Sequence, residues 1–361
     1  MKLSLVVPSN RTPDRVLPLL KSLEAQRLRE SDQSRFEIIW VVNGLPFHTC
    51  QELLGQIANP AFRTHVHLLY RPGASASEAR NLGVEAAHGE VVLFLDDDLE
   101  FPSPFLLQKI LDKVTAKQEK QPGEWAIGGS YLLGEASDEG RDYHHILQSF
   151  CRSASESGNV YLHAGFLAAP KSLLVRLGKL DTQRKWGASE FEINKKLSLS
   201  GIKAERVDGW NLLHHLEISG PEMVRKALKQ GEAAAYFPEF KHAFLRCYYR
   251  QNWNTGRYMM AFQMGIDAPA GLRRLVFKQP RVVEIFLCGS YVMWKIANMI
   301  PAKGFLVQKS EKFLWRLLYL KNYGKRERVR QTEAEYHRLM RKTSRRLSWV
   351  LFFRSASQIH D

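Results

Sequence analysis

Cysteine is scarce in this chain, with four residues in 361, at Cys50, Cys151, Cys247 and Cys288. They lie far apart and match no zinc or redox spacing, which excludes a disulfide scaffold and predicts reduced thiols in a cytosolic setting. Glycine-rich phosphate loops are missing too. Neither the dinucleotide fingerprint nor the P-loop pattern occurs, so phosphate would have to be held by side chains and a cation. No apolar run is both long and clean enough to cross a bilayer. The best, Val282–Ile300, has 19 residues but contains Glu284, Lys295 and Asn298. Charge in hydrocarbon is costly, so this run is expected as a buried or interfacial helix. The N-terminal MKLSLVVPSN has too short an apolar run for a signal peptide and reads as a first strand. Internal repeats and low-complexity segments are also absent.

Negative charge is short at one end only. Residues 221–361 hold 27 Lys+Arg against 10 Asp+Glu, whereas residues 1–220 hold 25 against 27. The net charge of +15 therefore resides in the C-terminal part. There it predicts an anionic partner surface, lipid or nucleic acid. Within that part, Phe305–Leu320 and His337–Phe353 interleave basic residues with Trp and Phe, a pattern suited to docking on an anionic membrane. The plainer alternative is helices packed on the rest of the chain with their charges solvated. The change in character places a boundary near residue 220, between a domain of residues 1–220 and a basic, mostly helical extension of residues 221–361.

Within residues 1–220, strand-like and helix-like patterns alternate. Leu3–Val7, Phe36–Val42, His65–Tyr70 and Val91–Leu95 read as buried strands, and Asp14–Arg27 and Ser77–Ala87 as helices with apolar residues at three- and four-residue steps. This order predicts an α/β protein built on parallel βαβ units. Further on, Trp125–Leu133 reads as a strand, Glu135–Asp142 as an acidic loop, Val160–Ala169 as strand and turn, and Ser189–Leu199 as a helix. Two short strands, Ile202–Val207 and Gly209–His215, close the unit.

The chain is organised around Val91–Glu100, VVLFLDDDLE. Five apolar residues fill a buried strand, which then stops at Asp96, Asp97 and Asp98. Clustered carboxylates repel one another and want water or a cation. Ligands of open α/β sheets bind at the carboxyl ends of strands, and hard divalent ions choose oxygen ligands. The stretch therefore reads as a metal-dependent phosphate site.

Taken in order, strand-Pro8-x-Asn10-Arg11, strand-Asn43-Gly44, Ala79-Arg80-Asn81-Leu82-Gly83 and strand-Asp96-x-Asp98 resemble the family 2 glycosyltransferases of GT-A fold, over roughly residues 3–215. The resemblance implies a mixed, mainly parallel sheet flanked by helices. It implies that Pro8, Asn10 and Arg11 border the nucleotide base, with Asn43 beside them, and that Arg80 and Asn81 lie near the nucleotide. Asp96 and Asp97 fall on the donor side, and Asp98 on a divalent ion, Mn or Mg, that bridges the diphosphate. His214 or His215 would close the metal site. Trp186-Gly187-Ala188-Ser189-Glu190-Phe191-Glu192 stands where the family carries Gly-Gly-Glu-Asp-x-Glu, which puts Glu190 at the base position and leaves Glu192 as the other candidate. Trp186 would line the acceptor site. Three departures stand out: Val42 occupies the place of a base-contacting Asp, Ser189 that of the first acid of the Glu-Asp pair, and Glu190 that of the shorter Asp.

Glycosyl transfer from a nucleotide-diphosphate sugar needs the leaving diphosphate neutralised and the acceptor hydroxyl deprotonated. A cation does the first and one carboxylate the second, so a single displacement with inversion is expected. The implied partners are a nucleotide-diphosphate sugar, a UDP-sugar before others, and a hydroxyl of a cell-surface glycan or lipid-linked acceptor. Nucleic acid is not expected, and the implied location is the cytoplasmic face of a membrane. The rival readings are a sugar-phosphate nucleotidyltransferase and a catalytically inactive module that binds membrane or nucleic acid.

Overall fold

Buried β-branched and leucine runs form the centre of the structure, a computed structural model that describes residues 1–10, 12–155, 160–182, 188–237, 243 and 253–289. In chain order the first part runs β1 (Leu3–Ser9), α1 (Pro13–Glu24), β2 (Phe36–Val42), α2 (Phe47–Gly55), α3 (Pro60–Arg63), β3 (Val66–Tyr70), α4 (Ala76–Ala86), β4 (Val91–Leu95) and β5 (Leu99–Glu100). There follow α5 (Leu106–Lys120), β6 (Ala126–Ala136), α6 (Asp138–Ser155), β7 (Phe166–Pro170), α7 (Lys171–Arg176), α8 (Ala188–Leu199) and β8 (Ala204–Leu216). The helices α9 (Gly220–Ala234), α10 (Trp253–Asp267) and α11 (Ala270–Lys278) follow, and residues 282–289, the described part of the expected helix over 282–300, are helical too.

One eight-stranded sheet carries the order β3-β2-β1-β4-β7-β6-β8-β5. The β3-β2-β1-β4 half is parallel, as βαβ connections require. Strand β7 then runs antiparallel to both β4 and β6, while β6 and β8 are parallel. The sheet is thus mixed and mainly parallel in its first half. Its apolar runs are continuous because both faces are covered. Leu3, Leu5, Val7, Ile38, Trp40 and Leu93 face α1 and α5, whereas Val6, Ile39, Val92 and Phe94 face α4, α7 and α8. Gly83 of α4 lies so close to Val6 that a Cβ would stand 2.2 Å from its Cγ1, so a glycine is what lets the helix seat on the sheet.

Two local expectations are corrected. Glu135–Asp142 is not a loop: Glu135 belongs to β6 and α6 starts at Asp138. Ser137 Oγ accepts from the backbone N of Gly140 at 3.0 Å, and Asp138 and Glu139 fill the first turn, so the acidic run serves as a helix start. The two short strands after Ile202 are one, β8. Its residue Gly209 takes φ 79°, and the register to β6 slips between Gly128 and Ser130, so the strand bends without ending.

The chain divides into two compact units, Met1–Ala136 with Ser155–Leu216, and Ser137–Ala154 with the chain from Glu217 onward. In the second unit α9 and α10 cross closely. A Cβ at Gly231 would stand 2.0 Å from the Phe262 carbonyl oxygen, and one at Gly265 2.1 Å from that of Leu228. Tyr258 Oη donates to Gln230 Oε1 at 2.6 Å, and Gln230 Nε2 donates to Tyr143 Oη at 2.9 Å, tying α10, α9 and α6 together. Among the described residues no helix is long and apolar enough to cross a membrane. The segment 290–300 and the amphipathic segments expected over 305–320 and 337–353 lie outside the described residues.

Candidate active site

The carboxyl ends of β1, β2 and β4 meet at one rim. Asn10 follows β1 and donates its backbone N–H to Asp97 Oδ2 at 3.1 Å. Asn43 follows β2, is buried, and donates Nδ2 to the Ala74 carbonyl at 2.7 Å, while its Oδ1 has no partner. Gly44 packs on Asn10: a Cβ there would stand 2.6 Å from Asn10 Cα. Pro8 sits one step earlier, buried in the ladder opposite Val41. Asn10, Asn43 and Asp97 therefore form one cluster, with Pro8 behind it. Arg11 and Trp186 lie outside the described residues.

Beside this cluster Arg80, buried on α4, reaches two partners. Its Nη2 meets Asp96 Oδ1 at 2.6 Å and its Nη1 donates to Ser189 Oγ at 3.0 Å. A carboxylate in place of Ser189 would bring a second negative charge onto the same guanidinium. Asp96 is also held from behind. Its N–H donates to the Gly165 carbonyl at 3.0 Å, and a Cβ on Gly165 would stand 2.0 Å from Asp96 Oδ2.

Asp98 is buried at 3% exposure and lies 3.3 Å from Nε2 of His214, which is buried at 7%. Strand pairing makes the contact: Leu99 stands opposite His214 in the antiparallel β5–β8 ladder, and His215 N donates to the Asp98 carbonyl at 3.0 Å. Alternation along a strand sends the two histidines to opposite faces. His215 Nε2 accordingly meets Glu100 Oε2 at 2.9 Å, and its Nδ1 accepts from the Glu135 N–H at 3.2 Å. Of the two candidates, His214 is the one beside Asp98.

The two glutamates of α8 are separated as sharply. Glu192 accepts the Asp181 N–H on both carboxylate oxygens, at 3.2 and 3.0 Å, and pairs with Lys196 at 2.8 Å. Lys196 also donates to the Gly178 and Lys179 carbonyls. Glu192 thus pins the turn before α8. Glu190 points the other way, with Oε1 3.0 Å from His163 Nδ1. Asn81 is likewise occupied: its amide donates to the Leu180 carbonyl at 2.8 Å and accepts the Leu180 N–H at 2.9 Å. A side chain bonded on both sides to one backbone unit ties α4 to that turn.

Tyr131 stands at the centre of these groups. Its ring stacks on His163 with centroids 4.2 Å apart and touches His214 at 4.8 Å. Burial pushes its phenol well above the ordinary tyrosine range, the charges of Asp96, Glu190 and Asp98 push it further, and Arg80 opposes them. The phenol therefore keeps its proton at every physiological pH. Tyr131 and His163 were not singled out as site residues by sequence. The available signal was a histidine within the otherwise apolar VYLHAGFLAA, two residues before a glycine.

A divalent cation can be tested against this donor set. Asp98 offers carboxylate oxygen and His214 imidazole nitrogen, and His214 Nδ1 is buried without a hydrogen-bond partner. Among the described residues no group of three or more His, Cys, Asp or Glu forms a complete protein cage. Mg²⁺-type sites typically use one or two protein carboxylates plus substrate phosphates, so two protein ligands fit a cation shared with a diphosphate.

A mixed, mainly parallel sheet with carboxylates, an arginine and a histidine gathered at its carboxyl rim defines an α/β protein with a polar site at its strand ends. Residues 4–121, about a third of the chain, match the family model described as glycosyl transferase family 2. The chain therefore carries a glycosyltransferase domain, and glycosyl transfer is its activity class. No curated protein sequence matches the chain. Among solved structures, mannosyltransferase PcManGT from Pyrobaculum calidifontis, in complex with GDP-Man and Mn2+, is similar over 88% of this chain and 84% of its own, at 14% identity and TM-score 0.49. S. aureus TarS 1-349 is similar over 97% and 91%, at 14% identity and TM-score 0.45.

Proposed function

We propose that this protein transfers a sugar from a nucleotide-diphosphate donor to an acceptor hydroxyl with inversion, using Glu190 as general base. The observation that carries the reading is one cluster of contacts: the Tyr131 ring stacks on His163, which meets Glu190, and touches His214, which lies beside Asp98, while Arg80 bridges Asp96 and Ser189. Asn43, with an unpartnered buried oxygen, suits the base of the nucleotide, because an amide oxygen accepts from a ring N–H or exocyclic amine. Arg80 holds Asp96 on the donor side. Asp98 and His214 would hold a divalent ion, Mn or Mg, which when bound neutralises the leaving diphosphate.

Glu190 is favoured over Glu192 because both Glu192 oxygens are engaged by the Asp181 N–H. In the transfer, the acceptor O–H proton passes to Glu190 and the acceptor oxygen bonds the anomeric carbon. The bond from that carbon to the phosphate oxygen breaks with its electron pair on the diphosphate. One displacement inverts the centre. The donor is proposed to be a UDP-sugar and the acceptor a glycan or lipid-linked hydroxyl.

A membrane role has a separate support in the second unit. Leu275 and Phe277 of α11 are exposed at 47% and 39%, on a helix that also carries Arg273, Arg274 and Lys278. Apolar and basic residues on one exposed helix suit the surface of an anionic bilayer. We propose a peripheral location on the cytoplasmic face of a membrane, which these exposed residues support as far as surface binding goes. Its binding to anionic vesicles is expected to weaken with salt, and equal binding to neutral vesicles would count against the placement.

The test of the activity is thermal stabilisation by UDP, GDP, dTDP and CMP, each with and without Mn²⁺. A ligand that binds only the native state must raise the melting temperature. A metal-dependent shift with one diphosphate, lost in Asp98→Ala, is expected. A flat response to all four would overturn the reading and favour a binding module without catalysis.

A further inference from the structure

The base proposed above is held in place by a second residue. Glu190 Oε1 lies 3.0 Å from His163 Nδ1, and the His163 side chain is only 6% exposed against 28% for Glu190. The ring plane of His163 is set by Tyr131, stacked on it at an angle of 23°. Its backbone is set by Asn194. Asn194 Oδ1 accepts the Leu162 N–H at 2.9 Å, and its Nδ2 donates at 2.8 Å both to the Leu162 carbonyl and to the Glu190 carbonyl. One asparagine therefore joins the strand that bears His163 to the helical turn that bears Glu190.

We propose that His163 is the positioning residue of Glu190, donating from Nδ1 to Oε1 so that Oε2 is left to take the acceptor proton. This rests on the reading of Glu190 as base. The physical need is specific to this chain. A glutamate has one more torsion than an aspartate, and misplacing a reacting group by about 1 Å can cost roughly 100-fold in rate. The hydrogen bond removes that freedom, and Tyr131 and Asn194 keep the imidazole from following the carboxylate. The Tyr131 phenol is stacked on His163, His214 touches the same Tyr131 ring, and Asp96, Asp98 and Arg80 act electrostatically on that phenol. His163 Nδ1 stands within hydrogen-bond distance of the Glu190 carboxylate and is placed to orient it.

The test uses the full chain with Mn²⁺ and three donors, UDP-glucose, UDP-GlcNAc and GDP-mannose, reading release of UDP or GDP between about pH 5.5 and 9. With His163→Ala, kcat is expected to fall roughly 30- to 100-fold with KM for the donor within about 3-fold, and the acidic limb of the pH profile to move. With His163→Asn, whose amide nitrogen stands near the position of Nδ1, kcat is expected to recover to within several-fold of the parent. Unchanged kcat and pH profile in His163→Ala overturn the proposal, as does an Asn variant that is folded and no better than Ala. Glu190→Gln separates the two claims: if it turns over like the parent, the base assignment itself fails. Should the parent release no nucleotide from any donor, ¹⁵N signals of the His163 ring decide. A ring proton on Nδ1, perturbed by Glu190→Gln, is expected, and a proton on Nε2 alone overturns the proposal.

Discussion

Asp98 and His214 stand 116 positions apart in sequence and 3.3 Å apart in the fold, brought together by the two-residue strand β5 pairing with β8. If this pair holds a cation, Asp98→Asn and His214→Ala should each abolish the Mn²⁺-dependent part of nucleotide stabilisation. Neither should shift the metal-free melting temperature by more than a few degrees. Differential scanning fluorimetry with and without Mn²⁺ measures both. Retained metal dependence in the two variants would remove this pair as the cation site.

Glu190 and Glu192 should separate by phenotype. Glu190→Gln is expected to lower turnover at least 100-fold while leaving the melting temperature nearly unchanged. Glu192→Ala removes the acceptor for the Asp181 N–H and the partner of Lys196, and should destabilise the fold by about 1–3 kcal/mol. Urea unfolding followed by circular dichroism gives the second number. A catalytic defect in Glu192→Ala without loss of stability would reverse the assignment.

Gly165→Ala places a methyl group 2.0 Å from Asp96 Oδ2, so the carboxylate must leave Arg80 or the loop must shift. Donor affinity should fall about 10-fold or more, equivalent to at least about 1.4 kcal/mol, measured by titration calorimetry with the stabilising nucleotide. Unchanged affinity would mean that Asp96 does not contribute to donor binding in this position.

Acid should reach the scaffold through Glu37. This residue is 1% exposed, and burial pushes its carboxyl upward, but the Ser4 hydroxyl, the Lys2 ammonium and the His88 N–H outweigh burial and hold it at about 2 against an ordinary 4.5. A depressed carboxyl contributes stability that is fully present above about pH 4.5 and is lost as pH falls through about 2. Melting temperature followed across that window should drop less steeply in Glu37→Gln than in the parent. Parallel curves would show that Glu37 does not couple folding to protons.

Much of the first half of the fold is legible in sequence because its forces are local or periodic. Apolar runs such as Leu3–Val7 and Phe36–Val42 are buried on both faces, so their length and composition alone mark them as central parallel strands. Asp96–Asp98 after such a run likewise announces a polar rim. The Asn194 clamp, the Tyr131 stack and the β5–β8 pairing leave no such mark, since each joins residues from distant parts of the chain.

The sequence by itself therefore determined the α/β class, the rim of carboxylates, the presence of Arg80 beside it and the basic excess of the C-terminal part. Tertiary structure decided which neighbours each member of an ambiguous pair meets. His214 and His215 differ by one step along a strand, and a period of two sends them to opposite faces. Glu190 and Glu192 leave the same helix in different directions, one toward His163 and one toward the Asp181 turn. Asn81 stands in the Ala79–Gly83 segment, and only folding shows that its amide also ties α4 to the Leu180 backbone. Residue type and spacing state what a side chain can do; the neighbours that folding supplies decide which of those things it does.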